Sequence, residues 1–393
     1  MNFLFAYIQA VNPIKGGTER VTWAVATALK KKGHSVYFLA THATQADAPF
    51  TDQPEYILID AKASHEERKQ KVITTCRELN IDVVINECAE FGLSSIFSNK
   101  LLDGVRVISC THLDIYGLVK YFHRPNPRSR IKRAVLSFLS FCGIQPYYFK
   151  YYRKYKKIFK EVVQVSDAVV VVTPVIAEQL RRFTGEKSAR IVSILNPLTI
   201  ACEQPRYDAQ VKEKMLLYVG RLSHTKNVDM LLKAWRNISS KYPEWRLEIA
   251  GDGDEWEYLH DLVAKYNIPR VHFHGQVSNL SALYSRAEYL LLPSDSESFS
   301  CVVLESMAYG CHPIVFDYPS SPIVIPSPRL GTRVRRRSCW AYARAVADAI
   351  DTGRTNREEM DNVAQHLSQF DMDKLVLQWQ ALLEQIQISP EHE

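Results

Sequence analysis

Two glutamates, Glu297 and Glu305, stand eight residues apart around the predicted start of a helix. A buried strand at 289–293 precedes the loop and an apolar strand at 313–316 follows the helix, so the segment is a strand–loop–helix–strand unit. Because the first N–H groups of a helix have no partner within it, the backbone from Ser298 to Cys301 favours an anion. Two carboxylates beside an anion site suit a ligand with both hydroxyl and phosphate groups, such as a nucleotide-sugar.

A second loop with phosphate-binding residues follows the predicted strand at 215–219. Arg221 offers a planar fork of donors and Lys226 a compact charge, and five residues apart in one loop both can reach one diphosphate. A predicted helix at 228–241 makes this another strand–loop–helix unit. Solvated surface charges would give the same pattern, here and at the glutamate pair.

The beginning of the chain predicts a βαβ unit, with strands at 3–8 and 34–40 around a helix. Gly16 and Gly17 open that helix, and paired glycines either let the backbone approach a ligand closely or simply form a tight turn. Further along, His112 and Asp114 follow a strand predicted at 105–110. Polar groups at that end of a parallel strand lie where open α/β sheets bind ligands, although a histidine there can equally be structural.

Length and composition limit the classes of protein that fit this chain. Its 393 residues favour two domains, and 46% hydrophobic with 23% charged residues is typical of a globular protein. No apolar run is long enough to span a bilayer, and residues 1–8 read as a first strand rather than a signal peptide. The eight cysteines include no C-x-x-C motif, which predicts reduced, buried thiols in a cytoplasmic protein without disulfides or a zinc site.

Residues 115–160 contain twelve Lys or Arg residues, no Asp or Glu, and many aromatic residues. Such a segment suits contact with an anionic membrane leaflet, where a lipid-linked acceptor would be found. The alternatives are a solvated insertion packed on its own aromatic residues and nucleic-acid binding, for which no motif accompanies the charge. The candidate membrane and acceptor residues are Arg130, Lys132, Arg133, Lys150, Arg153, Lys154, Lys156 and Lys157.

Two other polar stretches have simpler interpretations. Residues 198–211 lack periodicity and predict a linker between domains. Residues 333–337 form a short basic cluster that we expect to be solvated.

Taken together and in this order, the motifs resemble those of the retaining glycosyltransferases of family 4 (glycosyl transferases group 1). Glu19 and Arg20 complete a GG-x-E-R opening, the loop with Arg221 resembles the family's G-R-x6-N loop with an intervening lysine, and the glutamate pair resembles its E-x7-E signature. The match is weakest over 115–160 and 317–340. At 317–325 another sequence replaces the family's G-P-x-E-I-I pattern, and Ile323 or Val324 stands in place of its acidic residue.

The resemblance implies an α/β chain with the GT-B fold, in which two Rossmann-like domains face each other across a cleft. Residues 1–198 would form the N-terminal acceptor domain with the basic aromatic insertion 115–160. Residues 199–370 would form the nucleotide-sugar donor domain, and a C-terminal helix within 371–393 would cross back to the N-terminal domain.

The resemblance also assigns roles to residues. Glu297 would hold hydroxyls of the donor sugar, Glu305 the ribose hydroxyls, and His112 would lie near the sugar. The implied catalytic residues are Glu297, His112, Lys226 and Arg221. The implied donor-binding residues are Gly17, Arg221, Lys226, Val277, Ser298, Phe299, Ser300 and Glu305. No metal or other cofactor is expected, since these groups would stabilise the leaving diphosphate and no Asp-x-Asp is placed to hold a metal.

The implied function is retaining transfer of a hexosyl or N-acetylhexosaminyl group from a nucleotide-diphosphate sugar, with UDP chosen on family frequency. The acceptor would be a lipid-linked or polysaccharide glycan of the bacterial cell surface. We expect the protein in the cytoplasm, peripheral on the inner membrane face, with no nucleic-acid partner. The alternatives are a nucleotide-sugar 2-epimerase of the same fold and a non-catalytic nucleotide-sugar-binding partner of a transferase.

Overall fold

The structure is a computed structural model that describes residues 1–14, 16–44, 56–122, 146–188, 190–200 and 205–388. The chain forms two compact units. The first consists of Met1–Pro197 together with Met372–Glu393, and the second is Leu198–Asp371.

Parallel strands form the sheet of the first unit. Its strands within the described residues are β1 (Asn2–Tyr7), β2 (Ser35–Ala43), β3 (Tyr56–Asp60), β4 (Val83–Asn86), β5 (Arg106–Thr111), β6 (Ala168–Val171) and β7 (Ile191–Ser193). They lie in the order β3-β2-β1-β4-β5-β6-β7, and each described pair is parallel. All residues of β4 and β6 are buried, as expected for strands covered on both faces.

Helices alternate with these strands. They are α1 (Gly17–Lys31), α2 (His65–Glu78), α3 (Ile115–Gly117), α4 (Pro146–Val165), α5 (Pro174–Thr184) and, from the end of the chain, α13 (Met372–Ile388), which packs on α1. A π-helical turn at Leu118–Phe122 continues α3. Local sequence sets several helix starts. Ser64 and Glu67 form a reciprocal capping box before α2, and Thr173 caps α5 ahead of Pro174 at its first position.

The second unit repeats this architecture with a smaller sheet. In its described residues the strands are β8 (Glu213–Val219), β9 (Arg246–Ala250), β10 (Val271–Gly275), β11 (Ala287–Leu292), β12 (His312–Phe316) and β13 (Thr332–Val334). Their order is β10-β9-β8-β11-β12-β13, again with parallel pairs. The helices are α6 (Val228–Ile238), α7 (Trp256–Lys265), α8 (Ser281–Arg286), α9 (Cys301–Ala308), α10 (Ser321–Val324), α11 (Cys339–Asp351) and α12 (Met360–Leu367).

The strand order locates the place where each sheet binds ligands. In the first sheet the direction of winding reverses between β1 and β4, and in the second between β8 and β11. A crevice opens at the carboxyl ends of the two strands on either side of such a reversal. The loops after β8 and β11 are those that carry Lys226 and Glu297, so the topology alone brings the two predicted motifs together.

Close backbone packing fixes the loop after β8 against the loop after β9. A Cβ on Gly251 would overlap the carbonyl oxygen of Gly220, and one on Gly253 would overlap that of Leu222. The N–H of Leu222 donates to the carbonyl of Asp252 over 2.9 Å. Only glycine allows this approach, so the two glycines of the second loop set the position of the first.

The polar stretch 198–211 begins at the boundary between the two units, and its described parts pack within the second unit. The hydroxyl of Tyr207 donates to Oε1 of Glu288 over 2.7 Å, and the N–H of Arg206 donates to the carbonyl of Ala308 over 3.0 Å. The prediction missed this because such anchors are distant in sequence.

Candidate active site

Lys226 and Glu297 form an ion pair at the winding reversal of the second sheet. Nζ of Lys226 donates to Oε1 of Glu297 over 2.6 Å, and the side chains are 25% and 12% exposed. Two hydrogen bonds join their loops: the Asn227 side chain donates to the carbonyl of Pro293 over 3.0 Å, and the N–H of Asp295 donates to the carbonyl of Thr225 over 2.8 Å. The pair is therefore held by backbone on both sides.

Helix α9 begins at Cys301, four residues after Glu297. Ser300 precedes it in a left-handed conformation (φ 70°), and its side chain does not cap the helix. Phe299 is buried, with its ring centroid 5.6 Å from that of Phe370. The positive end of the helix thus lies next to Glu297, and Ser298, Phe299 and Ser300 form the backbone leading into it.

Glu305, in the second turn of α9, is wholly buried. Its Oε1 accepts a hydrogen bond from the Thr199 hydroxyl at 3.1 Å, and its Oε2 accepts one from the Tyr284 hydroxyl at 3.0 Å. Glu305 is thus more deeply buried than Glu297. A carboxylate that already accepts from hydroxyls retains lone pairs for a further one.

Two further predicted donor-binding residues lie in the loops after β8 and β10. Arg221 belongs to the same loop as Lys226, but its side chain is 67% exposed and its guanidinium is 3.5 Å from the carboxylate of Asp254. Val277 is half-buried after β10, the edge strand two places away from β8. The structure therefore groups Lys226, Glu297 and the start of α9, with Arg221 at the periphery.

In the first unit, His112 pairs with a glutamate that sequence reasoning missed. Nε2 of His112 lies 2.8 Å from Oε2 of Glu87, and the Thr22 hydroxyl donates to Oε1 of Glu87 over 3.3 Å. Glu87 follows β4 and His112 follows β5, which are neighbouring strands. The sequence offers one signal, an acidic residue directly after the largely apolar run 83–86, but it does not show which side chain Glu87 would meet.

Acidic side chains dominate the electrostatics around His112. Burial by itself would lower the pKa of His112, but the charge and hydrogen bond of Glu87, together with the charges of Glu90 and Glu19, raise it above its ordinary value. Burial also raises the pKa of Glu90 to about 7.

Gly17 begins α1 in the same unit, and a Cβ there would meet no described atom within 4 Å.

Helix α4 divides its residues between two faces. Tyr155, Phe159, Val162 and Val163 form a buried stripe on the first unit. The membrane interpretation of the aromatic residues therefore fails for Tyr155 and Phe159, which the core recruits at helical spacing. Four of the five predicted basic residues that the structure describes are exposed. The exposed ones are Lys150, Arg153, Lys154 and Lys157, while Lys156 is half-buried, and Arg130, Lys132 and Arg133 lie outside the described residues.

Two observations concern metals and membranes. Among the described side chains, no group of three or more His, Cys, Asp or Glu residues is placed to hold a metal ion. No helix within the described ranges is long and apolar enough to cross a membrane.

Comparison with known families decides the identity of the chain. Residues 15–201 match the family model described as Glycosyltransferase Family 4, and residues 203–366 match that described as Glycosyl transferases group 1. This chain belongs to the family 4 glycosyltransferases. The family predicted from the motifs is confirmed, and the comparison favours the transferase over the epimerase and the non-catalytic partner.

Relatives and solved structures agree with this assignment. An uncharacterized glycosyltransferase of Haemophilus influenzae is 25% identical over 378 residues, which is 94% of this chain and 96% of the relative. A Campylobacter jejuni α-1,4-N-acetyl-D-galactosaminyltransferase, named for a diNAcBac-PP-undecaprenol substrate, is 28% identical over 199 residues, 50% of this chain and 55% of the relative. The crystal structure of the pneumococcal O-GlcNAc transferase with UDP and GlcNAc superposes with a TM-score of 0.74 at 15% identity, covering 99% of each chain. The predicted GT-B fold of the glycosyltransferase is confirmed.

The substitution Glu87→Gln is expected to lower the pKa of His112. It removes the charge and weakens the hydrogen bond that favour the imidazolium, and it leaves the burial that opposes it. Titration of the His112 ring by NMR measures this directly. Glu66→Gln, at the exposed start of α2, is the control and leaves the pKa of His112 unchanged. A His112 pKa that stayed the same or rose in Glu87→Gln would contradict the pairing.

Proposed function

We propose that this glycosyltransferase transfers a hexosyl or N-acetylhexosaminyl group from a UDP-sugar, with retention, to a lipid-linked or polysaccharide acceptor of the bacterial cell surface. The observation that carries the proposal is the Lys226–Glu297 ion pair beside the start of α9. That arrangement offers a positive charge and a helix N-terminus to a diphosphate, and a carboxylate to sugar hydroxyls.

Cleavage of the sugar–phosphate bond builds negative charge on the leaving diphosphate. Lys226 has three N–H donors, of which Glu297 uses one at 2.6 Å, so it can bind phosphate oxygen without giving up the glutamate. The N-terminus of α9 adds its partial positive charge. Arg221 is exposed, and its 3.5 Å contact with the exposed Asp254 is weak enough to exchange for the diphosphate. Preorganised charges of this kind supply a large part of transition-state stabilisation.

The two glutamates take different parts of the donor in this proposal. Oε1 of Glu297 binds Lys226, and Oε2 is assigned to hydroxyls of the transferred sugar. Glu305, held by Thr199 and Tyr284, is assigned to the ribose. Val277 is assigned to the base and Gly17 to the donor, as the resemblance implies, and His112 remains the proposed sugar-binding residue of the first unit.

In the proposed reaction, the bond from the anomeric carbon to the diphosphate oxygen breaks while the acceptor oxygen attacks from the same face. The acceptor proton passes to the leaving phosphate, so no enzymic nucleophile is needed. The charges of Lys226, Arg221 and α9 take the part that a divalent metal plays in other transferases, and we therefore propose a metal-independent reaction.

The identities of donor and acceptor draw support from the relatives. The pneumococcal transferase structure contains UDP and GlcNAc, and the Campylobacter enzyme is named for an undecaprenol-linked substrate. In the chain itself, the exposed basic face of α4 suits an anionic membrane surface, where each basic residue is worth about 1 kcal/mol. We therefore place the acceptor, and the enzyme, at the inner face of the membrane.

Replacing either member of the ion pair is expected to abolish most of the transfer. Lys226→Ala and Glu297→Ala should each lower kcat by roughly 100- to 1,000-fold, the usual cost of removing a group that stabilises developing charge. Turnover of a UDP-sugar by purified variants, with folding checked by circular dichroism, is the measurement.

Lys233→Ala is the matched control, because Lys233 is also paired with a carboxylate, Asp229, at 2.6 Å, but on the outer part of α6. It should keep wild-type turnover. Near-wild-type turnover in the folded Lys226 or Glu297 variants would refute the roles assigned to them.

The membrane proposal is tested by flotation with phosphatidylcholine vesicles, with and without phosphatidylglycerol. The wild-type enzyme should float only with the anionic vesicles. The variant Arg153→Ala/Lys154→Ala/Lys157→Ala should lose binding, by about 3 kcal/mol at most if each residue contributes about 1 kcal/mol.

The control is Lys30→Ala/Lys31→Ala/Lys32→Ala, which removes three exposed lysines from the end of α1 in the same unit. It should bind like the wild type. Equal flotation with both vesicle types, or equal loss in both triple variants, would rule out a membrane-binding role for α4.

A further inference from the structure

The basic run 333–337 is not uniformly solvated, as the sequence led us to expect. Arg335 and Arg336 are exposed, but Arg337 is half-buried. Its Nη1 donates to the carbonyl of Asp295 over 2.5 Å, and its Nη2 donates to the carbonyl of Asp317 over 3.1 Å. A planar guanidinium can join two carbonyls in this way because its donors diverge at fixed angles.

The first of these carbonyls belongs to Asp295, a residue that is connected to both members of the ion pair. Asp295 lies two residues before Glu297, and its own N–H donates to the carbonyl of Thr225, the neighbour of Lys226, over 2.8 Å. Arg337 therefore binds the residue whose N–H already joins the loop after β11 to the loop after β8. A shift of Asp295 would move Glu297 and release Thr225.

The other carbonyl, that of Asp317, belongs to a segment that forms a hydrogen bond to the backbone of Glu297. Asp317 begins the segment that stands where the family pattern has its acidic residue, and its Oδ1 accepts from the Ser321 hydroxyl at 2.7 Å. The adjacent Ser320 is fully buried, and its hydroxyl donates to the backbone carbonyl of Glu297 over 3.3 Å. The segment that lacks the family's acid thus supports the backbone of Glu297 instead.

We propose that Arg337 is a positioning residue that fixes Glu297 opposite Lys226 by holding the ends of β11 and β12 together. The contacts of Arg337 do not depend on the proposed function. Its effect on catalysis does rest on that function, because the position of Glu297 matters only if Glu297 contacts the donor. The segment 317–321 completes this support through Ser320.

Three variants of the whole chain test the proposal: Arg337→Ala, Arg337→Lys and, as the matched control, Arg336→Ala. Hydrogen exchange is measured for the peptides that cover 295–300 and 317–321. Steady-state transfer from the UDP-sugar gives kcat and KM, and calorimetry gives the Kd for UDP.

In Arg337→Ala we expect faster exchange in both peptides and a fall in kcat of roughly 10- to 100-fold, since displacement of a group by about 1 Å can cost about 100-fold. The Kd for UDP should rise less than kcat falls, because Glu305, which is assigned to the ribose, is held by other residues. Arg337→Lys keeps the charge without the fork and should show a smaller fall in kcat. Arg336→Ala should match the wild type in every measurement.

The proposal is overturned if Arg337→Ala matches Arg336→Ala, or if exchange rises while kcat stays at the wild-type value. Should Arg337→Ala not fold, a wild-type kcat in folded Arg337→Lys overturns it, and a lowered kcat supports it. If the wild-type enzyme neither binds UDP nor transfers sugar, the proposed function fails and the catalytic role of Arg337 fails with it. The exchange data then still show whether Arg337 holds the two loops.

Discussion

The ion pair between Lys226 and Glu297 depends on the geometry of a parallel sheet. Strands β8 and β11 are adjacent and point the same way, so the loops that follow them meet at one edge. Taking the two charges partly out of water costs free energy, which a 2.6 Å hydrogen bond and neighbouring backbone bonds offset. Loss of one partner would leave the other charge unpaired, so the loops, the helix start and the pair form one assembly.

The first unit uses the same principle with different residues. Glu87 follows β4 and His112 follows β5, and the parallel pairing of these strands brings the two side chains within 2.8 Å of each other. In both units, then, an acid and a base come from the carboxyl ends of neighbouring strands. The difference is in the neighbouring charges: His112 lies near several carboxylates, which favour its charged form, whereas Lys226 pairs with Glu297.

Much of this fold could be predicted from the sequence because buried parallel strands are continuous apolar runs, such as Leu290–Leu292, bounded by polar turns. The loop motifs followed from those strands.

The Glu87–His112 pair could not be predicted, because it requires knowing that β4 lies beside β5. Nor could the partners of Glu305, of which Thr199 is 106 residues away. The basic run 333–337 looked uniform, and only the hydrogen bonds of Arg337 to the carbonyls of Asp295 and Asp317 distinguish it from the exposed Arg336. The aromatic residues of α4 are evident in the sequence, but the sequence does not show which of them are buried in the core.

We propose that the assembly around Lys226 and Glu297 binds a nucleoside diphosphate by its own charges. This is tested by calorimetric titration of the wild-type enzyme with UDP and with GDP, each in EDTA and in magnesium. We expect tighter binding of UDP than of GDP, with the same Kd for UDP in EDTA and in magnesium. Absence of binding by either nucleotide, or binding of UDP that disappears in EDTA, would contradict it.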